Sequence, residues 1–254
     1  MRTRTVLFAG ERLVRAFVDF ALPPLCALCG RRLAEGEGAV CRPCLAGLVP
    51  ARGPFCRVCA RPAPGKGRWS GGLCPRCAEG GRVFERHRSY GLFEGDLAAL
   101  IRQLKYGNRR SLARLLGRLQ ARVVAADYVL RRAELVVPVP LHRTRRRERG
   151  YNQSALLARV VADETGKLCA PRVLLRTRAT RAQTRLTQAR RRENVEGAFR
   201  AAPDAALEGR SVLLVDDVFT TGATLEACAQ ALLEGGARYV AAVTVAIAPF
   251  RSDT

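Results

Sequence analysis

Aromatic residues are scarce, at 6% of 254 residues, and between positions 107 and 198 only Tyr128 and Tyr151 occur. That argues against a nucleic-acid surface built on base stacking, which needs successive aromatic platforms. No run approaches the ~18 uninterrupted apolar residues of a membrane-spanning helix. Even the apolar stretch 6–22 is broken by Glu11, Arg12, Arg15 and Asp19, so nothing there resembles an export signal. The expectation is a soluble, cytoplasmic protein with no transmembrane segment. Lysine is nearly absent, with three among 44 basic residues, against 22 acidic ones. The formal charge of +22 and pI near 11 favour polyanionic partners: nucleic acid, phosphate-rich substrates or acidic membrane surface. An arginine bias from a GC-rich genome is the alternative origin of that charge. Hydrophobic content of 48% suffices for a core and excludes disorder of the whole chain.

Three regions differ in pattern. Residues 1–24 carry a helix-like apolar period (Leu7, Phe8, Leu13, Val14, Phe17, Val18, Ala21) stopped by Pro23-Pro24. This predicts an amphipathic helix that packs on its own protein or lies on a membrane. Residues 25–80, rich in Cys, Gly, Pro and Arg, have no sustained period and need a staple such as metal. Residues 83–254 read as an α/β domain. Helices are predicted at 93–104, 112–124, 152–165 and 223–233, and strands at 135–139, 172–176, 212–215 and 239–248, giving a mainly parallel sheet flanked by helices.

Eight of ten cysteines form four Cys-x-x-Cys pairs, Cys26/Cys29, Cys41/Cys44, Cys56/Cys59 and Cys74/Cys77, with gaps of 11, 11 and 14 residues. Two such turns complete one tetrahedral four-thiolate zinc site, so eight ligands predict two zinc ions. Sequential pairing, 26/29 with 41/44 and 56/59 with 74/77, is preferred to a cross-braced arrangement. With no open coordination position, both ions would be structural. Two tetrathiolate centres at −2 each would lower the formal charge of +22 to about +18. Cys169 and Cys228 have no such partners and read as packing residues.

Val-Leu-Leu-Val-Asp-Asp-Val-Phe-Thr-Thr-Gly-Ala-Thr, residues 212–224, has a physical logic of its own. An apolar strand delivers Asp216 and Asp217 at its C-terminal end, where ligands collect in open α/β sheets. Gly222 permits a tight turn, Thr220, Thr221 and Thr224 offer hydroxyls, and a helix opening at Ala223 points N–H groups and its dipole at a phosphate. Paired carboxylates suit the cis-diol of a ribose.

This string resembles the signature of type I phosphoribosyltransferases, which bind 5-phosphoribosyl 1-pyrophosphate with magnesium. The resemblance implies that Asp216 and Asp217 hold the ribose hydroxyls and that Thr220, Thr221, Gly222, Ala223 and Thr224 wrap the 5′-phosphate. With the cysteine module, Leu104-Lys105-Tyr106-Gly107, Val137-Pro138-Val139-Pro140-Leu141-His142, Arg149-Gly150-Tyr151-Asn152-Gln153 and the string 191–199, essentially the whole chain resembles the ComF family. That family is linked to natural competence, the uptake and handling of DNA. The implied cofactors are two structural zinc ions and magnesium. The implied partners are phosphoribosyl pyrophosphate or a related ribose 5-phosphate ligand, single-stranded DNA and a DNA-uptake motor protein.

Five arginines between 143 and 149 are expected in a loop after strand 135–139, where the corresponding segment of phosphoribosyltransferases holds pyrophosphate. Arg149 and Gly150 are the first candidates, with Tyr151, Asn152, Gln153 and Lys105 completing the ligand set; a solvated charge run is the plain alternative. His142 reads as a local hydrogen-bonding residue. The polar stretch 177–196 is expected as a loop, either a hood over the ligand or a track for a nucleic-acid backbone. The expected activity is a phosphoribosyl transfer with Asp216, Asp217 and Arg149 at the reacting centre; the acceptor is not legible. The alternative is a non-enzymatic competence factor that uses the site as a ligand sensor.

Overall fold

The computed structural model describes residues 24–64, 67–178, 195 and 197–249. The helix expected over 1–24, Pro24 apart, and the arginine-rich stretch 179–194 lie outside the described residues. The chain divides into two compact units, Met1–Leu48 and Val49–Thr254.

In the first unit, Leu25 and Arg32 form an antiparallel bridge around the Cys26–Cys29 turn, and Cys26 N–H donates to the Arg31 carbonyl at 2.8 Å. Helix α1 (Arg42–Ala46) starts directly after Cys41, with Pro43 in its first turn. The second unit opens on the same plan. Phe55 bridges Pro62, Cys56 N–H donates to the Arg61 carbonyl at 2.9 Å, and helix α2 (Pro75–Ala78) follows Cys74. Equivalent turn positions are Gly30 at φ 71° and Ala60 at φ 56°. The repeat is one of geometry, carried by the cysteine spacing rather than by similar side chains.

The remaining elements of the second unit are β1 (Arg86–Leu92), α3 (Gly95–Tyr106), α4 (Leu112–Ala126), α5 (Tyr128–Arg131), β2 (Leu135–Pro138), α6 (Arg143–Arg149), α7 (Gln153–Thr165), β3 (Leu168–Cys169), β4 (Leu174–Arg176), β5 (Phe199–Ala201), β6 (Ser211–Phe219), α8 (Ala223–Glu234) and β7 (Tyr239–Ile247). Five strands form one sheet in the order β1-β7-β6-β2-β3, every pair parallel; β4 and β5 pair antiparallel beside it. Both faces are covered, which is why β6 and β7 read as near-continuous apolar runs. Val212, Leu214, Val240 and Ala242 pack with Leu225, Cys228 and Leu232 of α8, and α4 and α7 cover the opposite face. The core on the α8 side also contains Cys56, Cys59, Cys74 and Cys77, so the second cysteine cluster packs into the sheet domain rather than standing apart.

The short elements α5, β3 and β5 were not expected from the sequence pattern, and two longer ones also depart from it. Residues 143–149 form helix α6 rather than a loop: the His142 side chain accepts from Thr144 N–H at 3.3 Å as N-cap, and Gly150 at φ 75° closes the C-terminus. With no apolar face, this helix leaves no period to read; its last-turn arginines suit the negative end of the dipole. Strand β1 was not expected because Arg86, His87 and Arg88 interrupt it. Asp127 neutralises the two arginines, at 3.4 and 2.9 Å, so an edge strand can carry them.

Candidate functional site

The cysteines gather as Cys26, Cys29, Cys41 and Cys44, and as Cys56, Cys59, Cys74 and Cys77, with each set's sulfurs within 4.8 Å of one another. The pairing is sequential. Cys29 and Cys41 Sγ are 3.7 Å apart, and Cys59 and Cys74 Sγ 3.6 Å. These are not disulfide distances; they match the ~3.8 Å edge of a tetrahedron with Zn–S near 2.3 Å. Backbone N–H groups of Leu28 and Cys41 point at Cys26 Sγ, at 3.5 and 3.4 Å. Burial opposes ionisation of Cys26, yet backbone donors pull its pKa down to about 6, while neighbouring thiols push Cys44 and Cys77 up to about 12. Four thiolates cannot share such a space without a cation, and the donor set fits zinc. Cys228 is buried in the core and Cys169 is half-buried; both lie outside these clusters.

The parallel sheet brings the C-terminal ends of β2, β6, β7 and β1 to one edge. There Asp216 Oδ1 accepts from Ser154 Oγ at 2.7 Å and from Asp217 N–H at 2.9 Å. Gln120, fully buried in α4, donates from Nε2 to the Asp216 carbonyl at 2.7 Å and fixes the backbone at the carboxylate pair. Lys105, at the end of α3, reaches Asp217 Oδ1 at 2.6 Å. Burial works against the lysine charge, but Asp217 overrides it and holds the ammonium above its ordinary pKa. Burial, and then the neighbouring Asp217, push Asp216 up to about 7. The second oxygen of Asp217, Oδ2, is buried with no hydrogen-bond partner among the described residues.

Strand β6 turns into α8 through Thr220, which is exposed, and Thr221 and Gly222, which are buried. Gly222 lies at φ 88°, and a Cβ there would meet the Arg82 guanidinium and the Phe219 ring. No other residue satisfies both constraints. Thr221 Oγ1 accepts from Ala223 N–H at 3.3 Å, and Thr224 stands in the first turn of α8. The strand–Gly turn–helix junction thus presents hydroxyls and a helix N-terminus beside the carboxylates.

The other expected ligand residues cluster between α6 and α7. Arg149 donates to Gln153 Oε1 and lies over the Tyr106 ring at 5.2 Å. Asn152 caps α7 by accepting from Ser154 N–H at 3.0 Å, while its Nδ2 donates to the Val139 carbonyl at 3.0 Å, tying the end of β2 to the helix. Tyr151 is buried, its hydroxyl donating to the Leu104 carbonyl next to Lys105, with Arg110 over its ring at 4.7 Å. Tyr151 and Asn152 therefore brace the segments that carry Lys105 and Arg149.

Ser154, Gln120, Arg82, Arg76, Glu226 and His87 were not anticipated. Gln120 had a signal: it is the polar member of the buried stripe Leu112, Leu116, Gln120, Val124. His87 is fully buried, with Nδ1 2.9 Å from the Cys59 carbonyl and Nε2 2.9 Å from Thr244 Oγ1. A carbonyl only accepts, so Nδ1 carries the proton and Nε2 accepts; burial pushes the pKa down to about 3 and keeps the ring neutral.

A double zinc ribbon domain family matches residues 17–80, and a phosphoribosyl transferase domain family matches residues 128–251. DNA utilization protein YhgH of Salmonella typhimurium is 33% identical over 86% of this chain and 95% of its own length. Competence protein F of Haemophilus influenzae is 32% identical over 64% of this chain and 73% of its own. Competence protein ComFC of Bacillus subtilis is 35% identical over 40% of this chain and 39% of its own. The chain belongs to the ComF family. Its ComF architecture is a phosphoribosyltransferase-type parallel sheet with two four-cysteine zinc-ribbon sites. No described helix of this ComF-family chain is long and apolar enough to cross a membrane.

Proposed function

We propose that this ComF-family chain binds 5-phosphoribosyl 1-pyrophosphate at the C-terminal edge of its sheet and acts in DNA uptake or processing. The observation that carries the ligand is the carboxylate pair in the C-terminal half of β6, followed by the left-handed Gly222 turn into α8. Asp216 and Asp217 accept from the ribose hydroxyls, and Thr220, Thr221 and Thr224, with the N-terminal N–H groups of α8, hold the 5′-phosphate. Magnesium fits the donor chemistry, since a hard cation takes carboxylate and phosphate oxygens and Asp217 Oδ2 has no other partner among the described residues. When bound with pyrophosphate, it supplies charge neutralisation. Lys105 and Arg149 set fixed positive charge beside the sugar and the leaving pyrophosphate. The names of the curated relatives, DNA utilization and competence proteins, support the cellular assignment.

A second reading, a ligand sensor without turnover, is favoured by one feature. Lys105 already pairs with Asp217 Oδ1, and Arg149 is engaged by Gln153 and Tyr106, so both cations proposed for the pyrophosphate are held by the protein's own groups. Calorimetry with phosphoribosyl pyrophosphate and magnesium, with pyrophosphate release followed on the same sample, separates the readings: binding with release supports transfer, binding without it a sensor. The double variant Asp216→Asn, Asp217→Asn is expected to lose binding by about a hundredfold or more, as removal of two charge-assisted acceptors implies. Wild-type affinity in that variant would refute the site. The charge surplus predicts single-strand binding by phosphate neutralisation, falling steeply between low and physiological salt. Salt-independent affinity would contradict it.

A further inference from the structure

One buried cation lies between the second zinc ribbon and the proposed phosphate loop. The side chain of Arg82 is 2% exposed and lies against the rings of Phe84 and Phe219, at 5.7 and 5.5 Å. Its Nη1 donates to the Thr221 carbonyl at 3.0 Å, inside the loop, and pairs with Glu226 Oε1 on the first turn of α8. The other oxygen of Glu226 pairs with Arg76, which sits between the zinc ligands Cys74 and Cys77. Arg82 Nε and Nη2 are buried without hydrogen-bond partners among the described residues. The side chain that fixes the loop carbonyl thus lies against two rings, Phe84 and Phe219, that share one core with Cys59 and Cys77.

Charge gives this arrangement its consequence. A zinc ion with four thiolates carries −2, and a buried negative centre requires a counter-charge nearby. A buried arginine likewise requires anions, and those at hand are Glu226 and the thiolate cluster. Arg82 satisfies both while holding the Thr221 carbonyl. Gly222 has no side chain in part because the guanidinium fills the space a Cβ would take. Lysine does not reproduce this geometry, since a point ammonium lacks the planar guanidinium face that lies against the Phe84 and Phe219 rings.

We infer that Arg82 is a positioning residue that makes the 5′-phosphate loop, residues 220–224, dependent on the folded second zinc ribbon. The inference rests on the ligand reading above, and its tests are chosen to stand apart from it. The full-length zinc-loaded protein is compared with Arg82→Lys and Glu226→Gln by hydrogen exchange over 219–226, by zinc content, and by calorimetry with ribose 5-phosphate and separately with pyrophosphate. In Arg82→Lys, zinc content and a cooperative melt persist, while exchange at 219–226 rises and that of β7 does not. Affinity for ribose 5-phosphate falls about tenfold or more, as expected for a displaced binding group, and pyrophosphate binds as before. Wild-type exchange at 219–226 together with wild-type ribose 5-phosphate affinity overturns the inference, as does equal weakening of both ligands. If Arg82→Lys does not fold, Glu226→Gln decides: faster loop exchange with zinc retained supports the coupling, and unchanged exchange refutes it. If the wild type binds no ribose phosphate, the ligand reading fails and the exchange comparison alone judges Arg82.

Discussion

Asp216 and Asp217 are adjacent carboxylates with one ammonium, Lys105, beside them, and the pair divides its roles accordingly. Asp217 takes the ion pair, and Asp216 takes Ser154 Oγ and a backbone N–H. Burial leaves Asp216 with a pKa of about 7 against an ordinary 3.8. The folded state therefore holds a proton on this group that the unfolded chain releases between those values. Its contribution to stability falls as pH rises from about 4 to 7 and is flat outside that window. Denaturant midpoints measured from pH 4 to 8 are expected to show this decline, and Asp216→Asn to remove it. A ligand hydroxyl or cation favours the ionised form, so affinity for phosphoribosyl pyrophosphate should tighten from pH 6 to pH 8. An affinity that stays level across that range argues against Asp216 as an acceptor. The carboxylates were legible because the strand and turn residues of the string 212–224 surround them. Lys105, Ser154 and Gln120 converge on them from three different helices, which local pattern does not relate.

Helix ends are where local chemistry acts on the site. Asn152 caps α7 and also holds the Val139 carbonyl, so one side chain joins the end of β2 to the helix that carries Gln153 and Ser154. Asn152→Ala is expected to cost about 1 kcal/mol, lowering Tm by roughly 2–4 °C for a chain of this size; an unchanged melt would mean that the cap is idle. Gly222→Ala adds a left-handed backbone penalty of about 1–2 kcal/mol to a clash with Arg82 and Phe219. Its ligand affinity should fall further than its stability does. Helices α4, α7 and α8 were legible from apolar period and from Gly166 and Gly235 at their ends. Helix α6 was not, because seven polar residues carry caps but no period.

At the scale of the molecule, the two ribbons share a plan but not a setting. The first belongs to the unit Met1–Leu48, whereas the second contributes its four cysteines to the core that holds Phe84, Phe219, Val137 and α8. A chain beginning at residue 83 loses the covering of that core and should fail to give a cooperative melt. A chain beginning at residue 49 should melt cooperatively with one bound zinc. A stable 83–254 fragment would show that the second ribbon is dispensable. Chelation should release two zinc ions per full-length chain, and because each site carries about 10–16 kcal/mol of apparent binding energy, it should also lower the melting temperature of the sheet domain.

The residue string by itself determined the number of zinc sites, their ligands, the parallel α/β class and the carboxylate–threonine loop. Each is written in spacing over a few neighbouring positions, where covalent geometry leaves little choice. Only the tertiary structure decided that Lys105 neutralises Asp217, that Gln120 and Ser154 hold Asp216, and that Arg82 ties the second ribbon to the Thr221 carbonyl. Such contacts span tens to more than a hundred residues. They depend on which faces the packed core brings together, and no local period encodes that.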